Sequence, residues 1–271
     1  MEKNDAAFAG AIPDLYDRLL VPLLFEPYAA DMAVRVAKAH PRDVLEVAAG
    51  TGALTRAMAD RLGEDTRIIA SDLNEPMLAR GAARQKDDGR ITWQQADAQA
   101  LPFEDSRFDV VACQFGVMFF PDKVAGYRET LRVLKPGGHY LFNAWEALPR
   151  NEFVTVVSDA LTMLYPQDPP RFMERTPHGY HEPETIRREL DAAGFGEIEI
   201  ERVQRRSRGG SAADVAMAYC QGTPLRMEIE ARTAPPLEDA TKVVADALQH
   251  RFGDGPIEGE ISAFVVSARR P

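Results

Sequence analysis

Two glycines and a carboxylate form the first stretch of the sequence whose residue types could do chemistry. Residues 44–55 read VLEVAAGTGALT, in which Gly50 and Gly52 follow an apolar run and precede a helical pattern. Glycine has no side chain, so a ligand can lie against the backbone there. Asp72 follows the apolar run RIIAS, where a carboxylate can accept hydrogen bonds from both hydroxyls of a ribose. The pattern predicts a nucleotide-containing ligand. A tight strand-to-helix turn, with Asp72 capping the next helix, would show the same residues.

The elements that must position these residues follow a regular alternation. From residue 44 to residue 145, short apolar or β-branched runs alternate with helical patterns, and Lys135-Pro136-Gly137-Gly138 reads as a breaker before the last run. This alternation is typical of βαβ units, whose parallel sheet is covered by helices on both faces. In such sheets ligands bind at the carboxyl ends of the strands, where the strand order reverses. The sequence predicts an α/β, Rossmann-like fold with the glycine turn at that position.

The second half of the chain interrupts this rhythm. We expect a helix over 151–165, a loop over 166–183, and two further strands in EIEIERV and ISAFVVSA. About fifty residues separate those strands, and an insertion of that length usually forms a lid or a binding element. We therefore predict one domain over 1–271. Its core would comprise 36–146, 184–206 and 256–271, and its lid or substrate elements 1–35, 147–183 and 207–250.

Composition disfavours several classes of function. The formal net charge of −10 repels polyphosphates, so nucleic acid is not an expected partner. No window approaches the ~20 apolar residues of a membrane span, and the N-terminus lacks a signal-peptide pattern, so we expect a cytoplasmic protein. Two cysteines and five scattered histidines give no spacing typical of a metal site, and no metal is predicted.

Four segments resemble the class I S-adenosylmethionine-dependent methyltransferases. Residues 46–52, EVAAGTG, resemble that family's motif I, E/D-x-G-x-G-x-G, with Ala48 at the first glycine. An NAD fingerprint, G-x-G-x-x-G, would require glycine where the chain has Thr55. The acid of RIIASD follows at the end of the second strand, residues 96–111 resemble the segment that joins strands three and four, and residues 131–142 resemble the one that leads into strand five. The four segments occur in the family's order and spacing.

The resemblance also extends into the flanking segments. The runs at 8–37, 179–195 and 219–225 are similar to enzymes of ubiquinone and menaquinone biosynthesis and to related small-molecule methyltransferases of type 11. This similarity implies a seven-stranded, mostly parallel sheet with helices on both faces and a helical lid. It also implies S-adenosyl-L-methionine as the cofactor and S-adenosyl-L-homocysteine as the product.

The resemblance assigns the cofactor-binding residues. Glu46 would order the amino-acid end of the cofactor, Asp72 would accept from the ribose, and Asp97 would accept from the adenine amino group. The backbone at Ala98 would reach the adenine ring, and Gln114 would face the departing methyl group. The complete predicted set is Glu46, Ala48, Gly50, Gly52, Asp72, Leu73, Met77, Asp97, Ala98 and Gln114.

The implied reaction moves a methyl group from a sulfonium to a small, partly apolar acceptor by in-line displacement. The protein mainly has to position the acceptor and exclude water, and a general base is optional. His178, His181 and Tyr16 are the candidate catalytic residues, with Tyr180 beside them. The histidines would equally suit loop residues that cap the next helix.

Two other functions fit part of the pattern. A nicotinamide-dependent oxidoreductase would share the glycine turn and the ribose acid, but it does not predict Asp97. A non-catalytic adenosylmethionine-binding protein would share all four motifs. The sequence leaves the acceptor atom and the oligomeric state open, and a homodimer is among the states it permits.

Overall fold

The structure is a computed structural model that describes residues 5, 6, 8 and 10–271. Within these residues seven strands form one sheet in the order β3-β2-β1-β4-β5-β7-β6. The first five strands in this order are parallel, and β7 pairs antiparallel with both β5 and β6. The strands are β1 Asp43–Val47, β2 Arg67–Asp72, β3 Ile91–Gln95, β4 Phe108–Gln114, β5 Leu134–Trp145, β6 Gly196–Gly209 and β7 Ile257–Arg269. The predicted α/β fold with a mostly parallel seven-stranded sheet is confirmed.

Helices cover the sheet because its central strands are apolar on both faces. Consecutive residues of β1 and β4 are buried, as expected for a sheet between two helical layers. The helices are α1 Ile12–Leu15, α2 Glu26–Lys38, α3 Ala53–Ala59, α4 Glu75–Arg84, α5 Lys123–Val133, α6 Glu152–Leu164, α7 Phe172–Arg175, α8 Pro183–Ala193, α9 Ala212–Gln221, α10 Leu225–Glu230 and α11 Leu237–Phe252. A π-helical stretch, Tyr16–Phe25, joins α1 to α2.

The order of the strands reverses between β1 and β4. The chain proceeds from β1 outward through β2 to β3, and then returns to the other side of β1 as β4. The connections that leave the carboxyl ends of β1 and β4 therefore diverge and leave a crevice between them. Gly50 and Gly52 follow β1, and Gln114 ends β4. The fold thus brings the glycine turn to the position where such sheets bind ligands.

Two predicted breaks differ in the structure. The sequence Lys135-Pro136-Gly137-Gly138 does not end an element but forms an irregularity inside β5. The pairing with β4 shifts there from Phe108–Leu134 to Val110–His139, and Gly137 adopts a φ of +76°. Glycine tolerates this left-handed conformation, so the strand continues beyond the bulge. The predicted loop 166–183 likewise contains the short helix α7, whose Phe172 and Met173 are buried.

The last two strands extend beyond the rest of the sheet. Strand β7 pairs with β5 through residues 263–269 and with β6 as far as residue 257. The projecting part contacts the N-terminal segment, because Tyr28 donates from its hydroxyl to the Ile261 carbonyl oxygen at 3.3 Å and Ser207 donates to the Leu23 carbonyl oxygen at 2.6 Å. Helices α6, α9 and α11 pack together above this region.

Candidate active site

The turn after β1 adopts a backbone conformation that side chains disfavour. Ala48, Gly50 and Gly52 have φ values of +55°, +55° and +80°. The Gly50 amide donates to Asp72 Oδ2 at 2.8 Å, so the acid at the end of β2 fixes the turn at the end of β1. A side chain at Gly52 would overlap the Trp93 ring instead of a ligand. Glycine at position 50 therefore leaves the backbone open to a ligand. Glycine at position 52 instead makes room for the Trp93 ring.

Asp72 combines the two roles that its sequence context allowed. Its Oδ1 atom accepts from the Asn74 amide at 2.7 Å and so orders the start of α4, while the carboxylate also lines a cavity. Burial raises the pKa of this carboxyl, and the hydrogen bonds from Asn74 and Gly50 oppose that rise. Each carboxylate oxygen can accept more than one hydrogen bond. Asp72 therefore keeps acceptor capacity for a ligand after it has fixed the turn.

A cavity with polar walls opens above these residues and is called the polar cavity below. It holds about 760 Å³ of empty space, including its open mouth. Asp97 lines it with an exposed carboxylate whose Oδ1 accepts from the Gln99 amide at 2.9 Å. Its Oδ2 has no hydrogen-bond partner among the described residues. The structure brings most of the predicted cofactor residues to this one cavity: Ala48, Gly50, Asp72, Leu73, Met77, Asp97, Ala98 and Gln114.

Glu46 and Gly52 support the polar cavity without lining it. The buried Glu46 carboxylate accepts from the Thr55 hydroxyl at 2.5 Å, beneath the turn and at the start of α3. Burial raises the pKa of Glu46 to about 8, although the Thr55 hydrogen bond lowers it. Thr55, which replaces the third glycine of an NAD fingerprint, thus anchors the acid of the first strand. Gly52, predicted to bind the cofactor, does not line this cavity, and a side chain there would meet the Trp93 ring.

A second cavity adjoins the first and is called the aromatic cavity below. It holds about 580 Å³ of empty space, including its mouth. Its lining contains no ionised carboxylate, ammonium or guanidinium group among the described residues. The residues that line it are Phe8, Tyr16, Leu20, Leu24, Phe25, Phe115, Phe119, Trp145, Asn151, Phe172, Met173, Pro177, His178, Tyr219 and Thr223.

Four aromatic residues, Phe8, Tyr16, Phe115 and Phe119, line both cavities and form the junction between them. Phe115 stacks on Trp145 with ring centroids 3.9 Å apart and planes 13° apart. Its φ of +52° is unusual for a bulky residue and is the kind of strain that concentrates at functional sites. The junction therefore connects the two cavities through a shared aromatic wall.

The structure places His178 in the wall of the aromatic cavity. The ring is 6% exposed, and its Nδ1 atom lies 2.8 Å from the Glu146 carbonyl oxygen. Because a carbonyl oxygen only accepts, Nδ1 carries the proton and Nε2 presents a lone pair. Burial lowers the pKa of His178 to about 4, so the ring is neutral at neutral pH. His178 is therefore available as a hydrogen-bond acceptor or a base.

Tyr16 also reaches the site, at the junction of the two cavities. Burial, with the nearby charges of Asp72 and Asp17, raises the pKa of its hydroxyl, which stays protonated. The next residue, Asp17, is buried and ion-paired with Arg80 at 3.0 Å and Arg84 at 2.6 Å, both on α4. This ion-pair cluster attaches the π-helical stretch to the core and so positions Tyr16 above the glycine turn.

His181 and Tyr180 do not reach either cavity. His181 donates from Nδ1 to the His178 carbonyl oxygen at 2.6 Å, and its Nε2 lies 3.1 Å from a Glu182 carboxylate oxygen. The Tyr180 hydroxyl donates to Glu189 at 2.6 Å beside Tyr127. Of the adjacent candidates in the loop, only His178 lines a cavity, because the following residues turn toward α8. His181 does not cap α8 either, since its Nδ1 contacts a carbonyl oxygen of the loop and no described side chain caps that helix.

Several residues of the aromatic cavity were not found by sequence reasoning. Trp145 and Phe115 stand at the ends of β5 and β4, and Tyr219 lies on α9. Their types are those of ordinary core residues, and only the fold places them around one space. The strain at Phe115 has no sequence signal, since the positive φ belongs to a non-glycine residue.

Comparisons with known proteins agree with this geometry. A family model described as a methyltransferase domain matches residues 44–138. The chain is 30% identical over 180 residues to the ubiquinone/menaquinone biosynthesis C-methyltransferase UbiE of Idiomarina loihiensis, covering 59% of this chain and 68% of that protein. It is 33% identical over 167 residues to UbiE of Saccharophagus degradans, covering 57% of this chain and 67% of that protein.

Solved structures share the fold at low sequence identity. The YcgJ protein of Bacillus subtilis superposes with a TM-score of 0.57 at 17% identity, covering 90% of this chain and 98% of that one. Phosphoethanolamine N-methyltransferase 2 of Haemonchus contortus, crystallised with S-adenosyl-L-methionine, superposes with a TM-score of 0.54 at 17% identity, covering 97% of this chain and 60% of that one.

The fold, the cavity at the reversal of strand order and the relatives together define a class I S-adenosylmethionine-dependent methyltransferase. The chain belongs to this family and, within it, is similar to the UbiE C-methyltransferases. The predicted enzyme class and cofactor are thereby confirmed, and the oxidoreductase and non-catalytic alternatives are set aside. None of the helices in the described part of the chain is long and apolar enough to cross a lipid bilayer.

Proposed function

We propose that this enzyme methylates a small, largely apolar acceptor bound in the aromatic cavity. The observation that carries the proposal is the shared wall of the two cavities. Phe8, Tyr16, Phe115 and Phe119 line both, so molecules bound in the two spaces would touch at this junction. The polar cavity would hold the methyl donor, and the aromatic cavity would hold the acceptor.

The residues of the polar cavity suit S-adenosyl-L-methionine. Gly50 presents bare backbone, Asp72 retains acceptor capacity for ribose hydroxyls, and Asp97 has a free carboxylate oxygen for the adenine amino group. Leu73 and Met77 add apolar surface for the ring. When bound, this cofactor supplies a sulfonium methyl group that an acceptor attacks in line with the departing sulfur.

The aromatic cavity would position the acceptor and keep water away from the junction. Its walls are mainly apolar and aromatic, and the stacked pairs Phe115–Trp145 and Tyr16–Phe25 lie beside the shared wall. Enclosure of this kind raises the frequency of the reactive arrangement, since the acceptor loses freedom on binding and not during reaction. Positioning is therefore the main catalytic contribution that we assign to the protein.

His178 would take the proton that the acceptor loses. The Nε2 lone pair belongs to a neutral ring held through Nδ1 by the Glu146 carbonyl oxygen. An acceptor hydroxyl becomes strongly acidic as its oxygen gains a methyl group, so even a base with a lowered pKa can accept its proton. Tyr16, whose hydroxyl stays protonated, would act at the junction as a hydrogen-bond donor.

Calorimetric titration with S-adenosyl-L-homocysteine, with NADH as the comparison ligand, tests the donor site. We expect micromolar affinity for S-adenosyl-L-homocysteine and no heat from NADH. Methyl transfer from labelled S-adenosyl-L-methionine to a panel of apolar acceptors then tests the acceptor site. The proposal is contradicted if substitution of Met173 by tryptophan, which would fill the aromatic cavity, leaves turnover of every methylated acceptor unchanged.

A further inference from the structure

The aromatic cavity contains polar groups that have no hydrogen-bond partner among the described residues. Tyr219, on α9, is 3% exposed and lines the cavity, and its hydroxyl makes no hydrogen bond to any residue in the described ranges. His178 Nε2 likewise has no hydrogen-bond partner in these ranges, since only Nδ1 forms a hydrogen bond, to the Glu146 carbonyl oxygen. The Tyr16 hydroxyl also has no described partner, but Tyr16 belongs to both cavities and can serve either ligand.

The other polar side chains of this cavity are engaged with the protein. Asn151 accepts from the Ser262 amide at 3.0 Å. Thr223 donates to the Tyr219 carbonyl oxygen at 2.7 Å and accepts from the Leu225 amide at 3.2 Å. Tyr219 and His178 therefore line the aromatic cavity alone, and each has a polar atom without a hydrogen-bond partner in the described part of the chain.

A polar group that faces an apolar space without a partner favours a ligand that can pair with it. Burial raises the pKa of Tyr219, so its hydroxyl stays protonated and can donate. His178 Nε2 can only accept while the ring is neutral. Together they match a ligand that presents an oxygen atom to Tyr219 and a hydrogen-bond donor to His178.

The charge of the cavity restricts the ligand further. The described lining residues include no carboxylate that could pair with an ammonium group and no lysine or arginine that could pair with a carboxylate or phosphate. An ion that enters this space would lose its hydration without gaining a counter-ion, which disfavours its binding. The cavity therefore favours apolar acceptors and disfavours charged ones.

We propose that the methyl acceptor is an uncharged molecule and that Tyr219 determines specificity by donating a hydrogen bond to one of its oxygen atoms. This inference rests on the proposed function, because it assigns the aromatic cavity to the acceptor. It adds a specificity role for Tyr219 on α9 and the requirement that the acceptor be uncharged. The methyl-transfer reaction by itself requires neither.

Four naphthalene probes of matched shape test the proposal in the full-length protein saturated with S-adenosyl-L-homocysteine. They are 2-naphthalenemethanol, 2-methylnaphthalene, 2-naphthoate and 2-naphthylmethylamine, which is an ammonium ion at pH 7.5. Calorimetry should give the alcohol a Kd at least about tenfold lower than that of either ion. In Tyr219→Phe the Kd of the alcohol should rise about five- to tenfold, while that of 2-methylnaphthalene stays within about twofold.

Tyr165→Phe provides a matched control. Tyr165 is a buried tyrosine near the lid whose hydroxyl donates to the Pro235 carbonyl oxygen at 2.8 Å, and it lines neither cavity. Its removal should leave the affinity of all four probes unchanged. A specific loss in Tyr219→Phe then reports a ligand contact and not a general disturbance of the lid.

The outcomes separate this inference from the function on which it rests. If the ions bind as tightly as the alcohol, or if Tyr219→Phe binds the alcohol as tightly as the wild type does, the inference is wrong and the proposed function stands. If S-adenosyl-L-homocysteine binds but none of the four probes does, the acceptor cavity itself is wrongly assigned. In that case both proposals fall together.

Discussion

The two cavities differ in the chemistry of their walls although they share four aromatic residues. The polar cavity presents backbone and the carboxylates of Asp72 and Asp97. The aromatic cavity presents stacked rings, and the lining histidine, His178, is uncharged because burial lowers its pKa to about 4. Recognition of a donor with ribose and adenine requires fixed hydrogen-bond acceptors, whereas an apolar acceptor requires shape and exclusion of water. The comparison predicts that substitutions in the polar cavity alter the affinity for the cofactor, whereas substitutions in the aromatic cavity alter turnover.

The largest effect is expected from His178→Gln. Glutamine can still donate to the Glu146 carbonyl oxygen but offers no basic lone pair, and loss of a general base typically lowers kcat by about 10²–10⁴-fold. Steady-state kinetics on an acceptor identified in the screen would measure this fall. The Kd of S-adenosyl-L-homocysteine should change by less than about twofold. Retention of wild-type kcat would remove His178 from the reaction.

Asp72→Ala should produce the second largest effect, on the other side of the junction. It removes the acceptor for the ribose hydroxyls and also the partner of the Gly50 amide, so the turn loses its anchor. Two charge-assisted hydrogen bonds correspond to about a hundredfold loss of S-adenosyl-L-homocysteine affinity. Calorimetry measures it, and the naphthalene alcohol should still bind. Unchanged cofactor affinity would count against the assignment of the polar cavity.

The pH dependence of stability should distinguish His178 from an ordinary surface histidine. Its pKa is lowered in the folded protein to about 4 from an unfolded value near 6.5, so the unfolded chain takes up the proton first. The stability that results is fully present above pH 6.5 and is lost as pH falls toward 4. Urea unfolding of the wild type and of His178→Gln should therefore give a free-energy difference that is constant above pH 6.5 and shifts steadily below it. A constant difference down to pH 4 would mean that the ring is not buried in its neutral form.

The smallest effect is expected from His181→Ala. The side chain contacts the His178 carbonyl oxygen and Glu182 and lines neither cavity. We expect kcat and the Kd of S-adenosyl-L-homocysteine to stay within about twofold of the wild-type values, because this partly buried hydrogen bond lies outside both cavities. A fall in kcat comparable to that of His178→Gln would restore His181 as a catalytic candidate. It would also contradict the expectation that turnover depends on residues that line the aromatic cavity.

The polar cavity could be predicted from the sequence because its residues follow strands in a fixed order. Asp72 ends β2 and Asp97 follows β3, so their positions relative to the glycine turn depend on local patterns and on the parallel sheet. Gly52 and Glu46 show where the prediction was incomplete, since packing against Trp93 and the Thr55 hydrogen bond occur beneath the cavity surface. A residue type can be required at a position without touching the ligand.

The aromatic cavity could not be predicted in the same way. Its lining comes from the N-terminal segment, the ends of β4 and β5, the loop that carries His178, and α9. The sequence offered two histidines and a tyrosine within four residues, and only the backbone path of that loop decides that His178 faces the cavity while His181 faces Glu182. The sequence cannot distinguish aromatic residues such as Trp145 and Tyr219 from ordinary core residues, because only the packed segments place them around one cavity.

The sequence by itself determined the α/β sheet, the glycine turn and the carboxylates that follow successive strands. Apolar periodicity, glycine conformation and strand order are local properties, and each is legible over a few residues. Only the tertiary structure decided which side chains enclose the aromatic cavity, which nitrogen of His178 faces it, and that the Tyr219 hydroxyl lacks a partner within the described ranges. Those properties depend on contacts between segments far apart in the chain, and burial and pairing exist only after those segments have packed together.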